Sequence, residues 1–491
     1  MKDTLLRPSR RTVLGWAGAT SLVSSAAFAQ TAANPMVEAL IALMQPGTDV
    51  RSMRAFREDW LSAAGRQRLP EPEWERYIGG IATRSGGVDL LSTERSATDV
   101  RLQVRTRRKG LVRVLRVRLD RDDQSKIFDV PRYPTPTPYQ GPVVGGPLSK
   151  RLIGALIERR TRFAVERDEF CGAVRVVAPD GEAVYEAAFG LADRDANQRN
   201  TTQTRFHLGS ADKSFTGLII ARLIEDGRLT WDAKLHSVLP EYPNPAFAAD
   251  CTIRHLASHT SGLGALFDRP HWEKKRPHQR MDELFYAFAS EPPAFSPGTS
   301  SAYSNEGFIV LGAVAERITG RSWYDLLSEW IYGPAGMASS GHFPYDALPV
   351  NVARGYRFAD DDDLGLDARR INTDVLGYRG NSCGGGYATV SDMTAYLRAL
   401  RAGSIIPLAA LDQMITPGQP GLADYGLGFI TRRTNGRTIV GHGGGGPHSG
   451  IDGMSGLVWE TGWAFSVLGN FDAPFAGALA NDIGGWLASQ T

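Results

Sequence analysis

The chain is organised around FHLGSADKSFTGLII, residues 206–220. This apolar run continues to Asp226 and stops at Gly227, and glycine commonly ends helices. Because apolar residues surround most of the run, it predicts a buried helix with Ser210 in its first turn. Lys213 would lie one turn later on the same face, since residues three apart are neighbours on a helix.

This position would make Ser210 reactive. A serine at the start of a helix has exposed backbone N–H groups and the positive end of the helix dipole beside it. A buried amine is able to accept the proton of a serine hydroxyl, and Ser210-x-x-Lys213 is the only Ser-x-x-Lys in the chain. A capping serine followed by a surface lysine would have the same spacing. Spacing alone therefore leaves a nucleophile and a helix cap as alternatives.

Length and composition set broad limits on the protein class. The 491 residues allow two or three domains, and 42% hydrophobic with 22% charged residues is ordinary for a globular protein. A formal net charge of +2 with dispersed arginines argues against a nucleic-acid partner. Cys171, Cys251 and Cys383 are far apart and odd in number, so they form neither a disulfide framework nor a metal motif.

Residues 1–29 have the pattern of a twin-arginine signal peptide. Arg10 and Arg11 precede the apolar residues 13–28, and Ala27-Phe28-Ala29 is a small-x-small cleavage site. An uncleaved membrane anchor is the alternative, but the run is short and rich in small residues. We expect a periplasmic or secreted protein without stable membrane insertion after processing.

Residues 35–130 predict a small α+β accessory domain. Apolar residues at helical spacing are followed by strict alternation over residues 99–105, a turn, and a return strand over residues 111–119. One face of this hairpin is apolar and the other carries arginines. Such a face would suit contact with an acidic cell-wall polymer, although a solvated sheet face is the commoner explanation. The proline- and glycine-rich residues 131–147 predict a stiff linker.

Residues 148–491 predict the second domain, of the α/β (α+β) class. Strand patterns occur near its start and again between residues 426 and 468, and helical patterns fill residues 210 to about 400. Strands at both ends imply one sheet built from distant segments, with an inserted helical subdomain. The cleft between the sheet and this subdomain would hold the site.

A second motif, PGTSSAYSN at residues 297–305, precedes a predicted helix. In such a turn Tyr303 and Asn305 point the same way, so both side chains would enter the cleft. A phenol near a lysine passes protons, and an amide is able to hold the lysine and a substrate carbonyl. Tyr303 and Asn305 are therefore candidate site residues.

A third motif, TIVGHGGG at residues 438–445, is a predicted strand that runs into glycines. The backbone N–H groups of such a strand are able to bind a substrate and its oxyanion. We take His442, Gly444 and Gly445 as candidate substrate-binding residues. HSG at residues 448–450 is a rival copy of the motif, but no strand pattern leads into it.

These three motifs, in this order, resemble the serine β-lactamase and penicillin-binding protein superfamily. The similarity extends from Leu148 to the C-terminus, and IRHLASHTSGL at residues 253–263 strengthens it. The branch it resembles contains class C β-lactamases, D-aminopeptidases, DD-peptidases and esterases. The resemblance implies a β-lactamase-like antiparallel sheet flanked by helices.

The resemblance also implies a mechanism. Ser210 would form an acyl-enzyme, with Lys213 and Tyr303 sharing the proton transfers and Asn305 orienting the lysine and the substrate amide. The backbone N–H groups of Ser210 and Gly445 would form the oxyanion hole. No metal or cofactor is implied. The protein would be an exported serine hydrolase that acts on an ester or a peptide amide.

The third motif departs from the β-lactamase pattern. That pattern has Lys-Thr-Gly or Lys-Ser-Gly where this chain has His442-Gly443-Gly444. Gly443 lacks the hydroxyl that helps to hold a carboxylate, so an ester or a peptide amide is favoured over penicillin. A weakly active β-lactamase and a penicillin-binding cell-wall protein without turnover are the alternatives.

A different hydrolase class must also be weighed. Gly380-Asn381-Ser382-Cys383-Gly384 fits the Gly-x-Ser-x-Gly elbow of α/β-hydrolases, which would make Ser382 the nucleophile. In those enzymes the oxyanion glycines precede the nucleophile and a buried strand leads into the elbow. Here the order is reversed and no convincing strand precedes Ser382, so Ser210 is the favoured nucleophile.

Overall fold

The computed structural model describes residues 34–131, 135–139, 148–264, 276–359, 362, 365–366, 368–418 and 421–490. The predicted signal peptide and most of the predicted linker lie outside these residues. Within these ranges, no helix combines the length and the apolar character that crossing a membrane requires.

The first part of the chain forms four helices and a four-stranded antiparallel sheet of order β1-β2-β3-β4. The helices and strands are α1 (Pro35–Leu43), α2 (Val50–Trp60), α3 (Ala63–Arg68), α4 (Glu71–Ser85), β1 (Val88–Arg95), β2 (Asp99–Thr106), β3 (Val112–Leu119) and β4 (Ile127–Asp129). These elements enclose a separate hydrophobic cluster that includes Trp74, Ile78 and Leu102, and Leu366 from the second part of the chain also belongs to it.

The sequence predicted only the β2–β3 hairpin of this sheet. In β2, Val100, Leu102 and Val104 are buried and alternate with more exposed residues, as the pattern indicated. By contrast, only Val88 is buried in β1, the other residues are exposed or half-buried, and the strand has no such alternation. The periodicity that identifies a half-buried strand is therefore absent from β1.

The second part of the chain contains the remaining elements. They are α5 (Lys150–Val165), β5 (Gly172–Val177), β6 (Ala183–Phe189), β7 (Leu191–Asp193), β8 (Gln198–Arg199), β9 (Phe206–His207), a 3-10 turn (Gly209–Ala211), α6 (Asp212–Glu225), α7 (Leu235–Val238), α8 (Pro245–Asp250), α9 (Ile253–Ala257), a second 3-10 helix (Asp282–Ala287), α10 (Glu306–Thr319), α11 (Trp323–Leu327), a π-helical turn (Ser328–Tyr332), α12 (Gly333–Ala335), β10 (Tyr356–Arg357), β11 (Arg370–Ile371), β12 (Tyr387–Ala388), α13 (Val390–Arg401), α14 (Leu408–Ile415), β13 (Ile430–Thr434), β14 (Arg437–Gly446), β15 (Ile451–Val458), β16 (Ala464–Gly469) and α15 (Phe475–Ala488).

A six-stranded antiparallel sheet organises this part, with strand order β13-β14-β15-β16-β5-β6. Helices α5 and α15 pack on one face, and α13 packs on the other. The strands from the two ends of the domain meet where β16 pairs with β5. The predicted antiparallel sheet built from distant segments and flanked by helices is confirmed.

Helix α6 is the buried helix that the sequence predicted. Every residue from Asp212 to Ala221 is buried, so apolar side chains surround the helix. The chain leaves the helix through Gly227, whose φ of 71° lies in the left-handed region, and the N–H of Arg228 donates to the carbonyl of Leu223. This helix fixes the position of the turn that carries Ser210.

The arginine-bearing face of the first sheet is turned towards α5. A cavity of about 770 Å³ lies between them, lined by Arg101 and Val114 from the sheet and by Arg159 and Arg162 from α5. Val114 is 2% exposed. The face is therefore partly covered by α5, and contact with an acidic polymer remains a prediction.

Asp452 joins the central sheet to α15. Its carboxylate accepts hydrogen bonds from the backbone N–H groups of Ala476 (2.5 Å) and Gly477 (3.1 Å), in the first turn of the helix. Burial raises the pKa of Asp452 from 3.8 to about 7, against the effect of these two hydrogen bonds. The folded protein therefore binds this proton more tightly than the unfolded chain.

We predict that Asp452 makes stability depend on pH. Its favourable contribution is present below pH 3.8 and is lost as the pH rises towards about 7, by at most about 1.4 kcal/mol per pH unit. Asp452→Asn should remove this loss of stability with rising pH. The measurement is the free energy of unfolding by urea across that pH range. Asp412→Asn, on the exposed side of α14, is the control. An unchanged pH profile in Asp452→Asn would contradict the assignment.

Candidate active site

Ser210 lies in the 3-10 turn that immediately precedes α6. No side chain caps α6. Ser210 is therefore not a helix cap, the alternative that the spacing had left open. Instead, Ser210 Oγ lies 3.1 Å from Lys213 Nζ, in the next turn of the helix. The structure thus brings together the hydroxyl and the amine of the first motif.

Lys213 is completely buried and is held by three oxygen atoms. In addition to Ser210 Oγ, its Nζ donates to Asn305 Oδ1 at 2.7 Å and to the backbone carbonyl of Cys383 at 2.6 Å. Among the described residues, Lys213 forms no ion pair with a carboxylate. The acceptors come from three separate segments, so the tertiary fold fixes the position of the amine.

Asn305 occupies the N-cap position of α10 but does not cap it. Asparagine is a favoured capping residue, and here its Oδ1 is used to hold Lys213. The neighbouring Ser304 Oγ accepts the N–H of Gly307 in its place, at 3.0 Å. Because the cap is supplied by Ser304, the amide of Asn305 is available for the site.

Tyr303 lies above the amine of Lys213. The centre of its ring is 4.9 Å from Lys213 Nζ, and 46% of the residue is exposed. The phenol is therefore at the mouth of the site, beside a buried amine. This arrangement brings together the four candidate side chains of the first two motifs, those of Ser210, Lys213, Tyr303 and Asn305.

His259 holds the backbone on both sides of Tyr303. Its carbonyl accepts the N–H of Ala302 at 3.0 Å, and its ring Nδ1 accepts the N–H of Ser304 at 3.0 Å. The ring lies 4.3 Å from that of Tyr303 and is fully buried. A φ of 62° at His259 is unusual for a residue other than glycine, and such strain is common at functional sites.

His442 is buried rather than exposed in the site. Its Nε2 lies 3.0 Å from the hydroxyl of Tyr425, and 4% of the residue is exposed. Burial, with a further contribution from the charge of Lys213, lowers the pKa of His442 to about 3. His442 is therefore neutral at pH 7, and its side chain contacts Tyr425 instead of the cavity.

The glycines of β14 allow the strand to lie against the Ser210 turn. A Cβ on Gly444 would be 2.4 Å from the backbone nitrogen of Ser210, and one on Gly209 would be 2.7 Å from that of Gly445. Only glycine permits so close an approach of the two backbones. The backbone nitrogens of Ser210 and Gly445 therefore lie on two adjoining segments, and an oxyanion hole formed by their N–H groups remains a prediction.

Gly443 is also enclosed by backbone. A Cβ at this position would lie 2.8 Å from the carbonyl oxygen of Gly453 in the adjacent strand β15. The strand therefore has no room for the threonine or serine of the β-lactamase pattern without a local shift.

A cavity of about 480 Å³ opens beside Ser210. Its walls include Ser210, Asn305 and Gly445, together with His448 of the rival third motif. His442 and Gly444 are not among the described residues that line it. His448, from the copy of the third motif that the sequence did not favour, thus contacts the cavity. His442, from the favoured copy, does not.

Ser382 does not occupy a nucleophile elbow. It is fully buried in a tight turn between Asn381 and Gly384, and no strand of the described residues leads into this turn. Its hydroxyl packs on α10, where a Cβ on Gly312 would lie 2.3 Å from Ser382 Oγ. The geometry offers no route for a substrate to Ser382.

Sequence reasoning missed two contributors to the site. The carbonyl of Cys383 has no sequence signal, because every residue carries one. His259 was included in the IRHLASHTSGL stretch, but without a role. Two histidines in that stretch gave no means of telling which one contacts Tyr303.

Comparison with known proteins identifies relatives of the second domain. A family model described as Beta-lactamase matches residues 157–483. The esterase EstB of Burkholderia gladioli is 30% identical over 301 residues, which cover 55% of this chain and 76% of the esterase. A D-aminopeptidase of Cereibacter sphaeroides is 29% identical over 286 residues, but these are only 52% of that protein.

A solved structure has the same fold. The penicillin-binding protein from Bacillus halodurans superposes with a TM-score of 0.59 and is 26% identical, covering 66% of this chain and 98% of its own. The resemblance that the three motifs predicted is confirmed by these matches. The chain belongs to the β-lactamase family of serine hydrolases.

Proposed function

We propose that the protein is an exported hydrolase that cleaves an ester or an amide through an acyl-enzyme on Ser210. The observation that carries this proposal is the 3.1 Å contact of Ser210 Oγ with the buried Lys213 Nζ, beside the glycine strand. A hydroxyl next to an amine and two backbone N–H groups is the arrangement that acyl transfer needs.

The proposed reaction has two steps. In the first, Ser210 Oγ bonds to the substrate carbonyl carbon, and Lys213 and Tyr303 share the transfer of its proton. The oxyanion is stabilised by the N–H groups of Ser210 and Gly445. The bond to the leaving group then breaks, and the leaving group takes the proton. In the second step, water attacks the acyl carbon, which releases the acid and restores Ser210.

The third motif favours a substrate whose leaving group carries no carboxylate near β14. A carboxylate there would need a cation and hydroxyl donors. His442 is neutral and buried, and Gly443 has no hydroxyl and no room for one. The names of the relatives describe an esterase and a D-aminopeptidase, which agree with ester and amide substrates.

The proposal of export rests on the sequence alone. The twin-arginine pattern, the short apolar stretch and the cleavage site all lie within residues 1–29, outside the described residues. Twin-arginine transport carries folded proteins, so the active site would form before the protein leaves the cytoplasm.

We predict that a fluorophosphonate probe labels the peptide that contains Ser210. Ser210→Ala should abolish labelling, because the probe needs the activated hydroxyl, and peptide mass spectrometry would locate the adduct. The matched control is Ser382→Ala, a serine that packs on α10 and should not affect labelling. Loss of labelling in Ser382→Ala but not in Ser210→Ala would overturn the proposed nucleophile.

We predict a preference for esters over β-lactams. The specificity constant for p-nitrophenyl butyrate should exceed that for nitrocefin by about tenfold or more, because the site lacks a charged hydrogen bond worth about 1.5–3 kcal/mol to the β-lactam carboxylate. Initial rates of both reactions on the mature protein test this. A higher specificity constant for nitrocefin would favour the alternative of a β-lactamase.

We predict that export depends on the twin arginines. Changing Arg10 and Arg11 together to Lys should leave the precursor in the cytoplasm, because the transporter reads the arginine pair. Fractionation and immunoblotting of cells that express each form provide the measurement. Normal processing of the double variant would contradict twin-arginine export.

A further inference from the structure

Among the described residues that line the cavity beside Ser210, one has a charged side chain, Arg379. The other described residues of its wall are apolar, aromatic or small, with a few neutral polar groups; the apolar ones include Leu284, Ile309, Phe343 and Leu376. No lysine, aspartate or glutamate of the described residues lines the cavity. Within this described part of the wall, no opposite charge compensates that of Arg379.

Arg379 is held in a fixed position. Its Nε donates to the backbone carbonyl of His342 at 3.1 Å. Its guanidinium lies over the ring of Tyr324, 3.7 Å from the ring centre, and the hydroxyl of Tyr324 donates to the carbonyl of Gly380 at 2.8 Å. The stacking and the hydrogen bond together restrict the side chain, which reduces the entropy lost when it binds a ligand.

The terminal nitrogens of Arg379 carry N–H groups that are available to bind a ligand. A guanidinium carries five N–H groups, and only the one on Nε has a protein acceptor among the described residues. Within the same residues, no carboxylate forms an ion pair with Arg379. A planar fork of this kind matches the two oxygens of a carboxylate.

The cavity is suited to the acyl part of the substrate. The leaving group must receive its proton by way of Tyr303 and Lys213. Neither is among the described residues that line the cavity, whereas Ser210, Asn305 and the oxyanion residue Gly445 are. With the reacting carbonyl at Ser210, the leaving group would point towards Tyr303 and the acyl chain into the cavity.

We propose that the preferred substrate has a carboxylate on its acyl chain, and that Arg379 binds this carboxylate. The inference rests on the proposed acyl-enzyme function of Ser210. The carboxylate proposed here lies on the acyl side of the reacting carbonyl. A carboxylate on the leaving group would lie on the other side, near the third motif. The substrate class is thus the mono-ester or mono-amide of an apolar dicarboxylic acid.

Two esters that differ only in charge test this. They are the mono-p-nitrophenyl ester of adipic acid and the p-nitrophenyl ester of adipic acid monoamide. The wild type should have a specificity constant at least about tenfold higher for the acid, the effect of one charge-assisted hydrogen bond. In Arg379→Gln the ratio of the two constants should fall to about one, and Arg379→Lys should keep part of the preference.

Arg401→Gln is the matched control. Arg401 also donates to backbone carbonyls, those of Trp459 and Glu460, but it lies on α13 and does not line the cavity. This variant should keep the wild-type ratio.

The outcomes separate the inference from the function on which it rests. Hydrolysis of both esters by the wild type at equal specificity constants would overturn the role of Arg379 and leave the proposed function standing. An unchanged preference for the acid in Arg379→Gln would also overturn it. Failure of the wild type to hydrolyse either ester, together with no fluorophosphonate labelling of Ser210, would overturn both.

Discussion

The site depends on the hydrogen bonds of one buried amine. Lys213 Nζ joins Ser210 Oγ, Asn305 Oδ1 and the carbonyl of Cys383, which come from the 3-10 turn before α6, from the N-terminus of α10 and from the segment before β12. These segments are distant in sequence and meet only in the folded domain. The amine is therefore both a candidate proton acceptor and the point at which these three segments are joined.

Burying an amine without a carboxylate is costly, and the surroundings of Lys213 reduce that cost. An isolated buried charge is penalised by several kcal/mol unless hydrogen bonds replace its water. Here the water is replaced by three oxygen acceptors and by the faces of the Tyr303 and Phe308 rings, which lie 4.9 and 5.6 Å from Nζ. Burial lowers the pKa of both His259 and His442, which keeps them uncharged near the amine.

The sequence predicted the parts that have a pattern and missed those that depend on tertiary contact. The apolar run and Gly227 predicted α6, and three ordered motifs predicted the family, the sheet and the side chains that meet at Lys213. The burial of His442 could not be predicted, because a histidine before glycines reads equally well as exposed or buried. The place of Arg379 in the cavity wall was not predicted either. Its stacking on Tyr324 joins two residues 55 positions apart, one in the short helix α11 and the other in a loop without periodicity. Strand β1 was missed because its exposed surface lacks alternation.

The central claim is that Lys213 activates Ser210 for acyl transfer, and trapping the acyl-enzyme tests it most directly. The protein would be mixed with p-nitrophenyl butyrate, quenched in acid and digested, and the butyryl group located by mass spectrometry. The account predicts a butyryl adduct on Ser210 in the wild type and none in Lys213→Met, with circular dichroism used to verify that the variant is folded. An adduct on another residue, or equal accumulation on Ser210 in folded Lys213→Met, would contradict it.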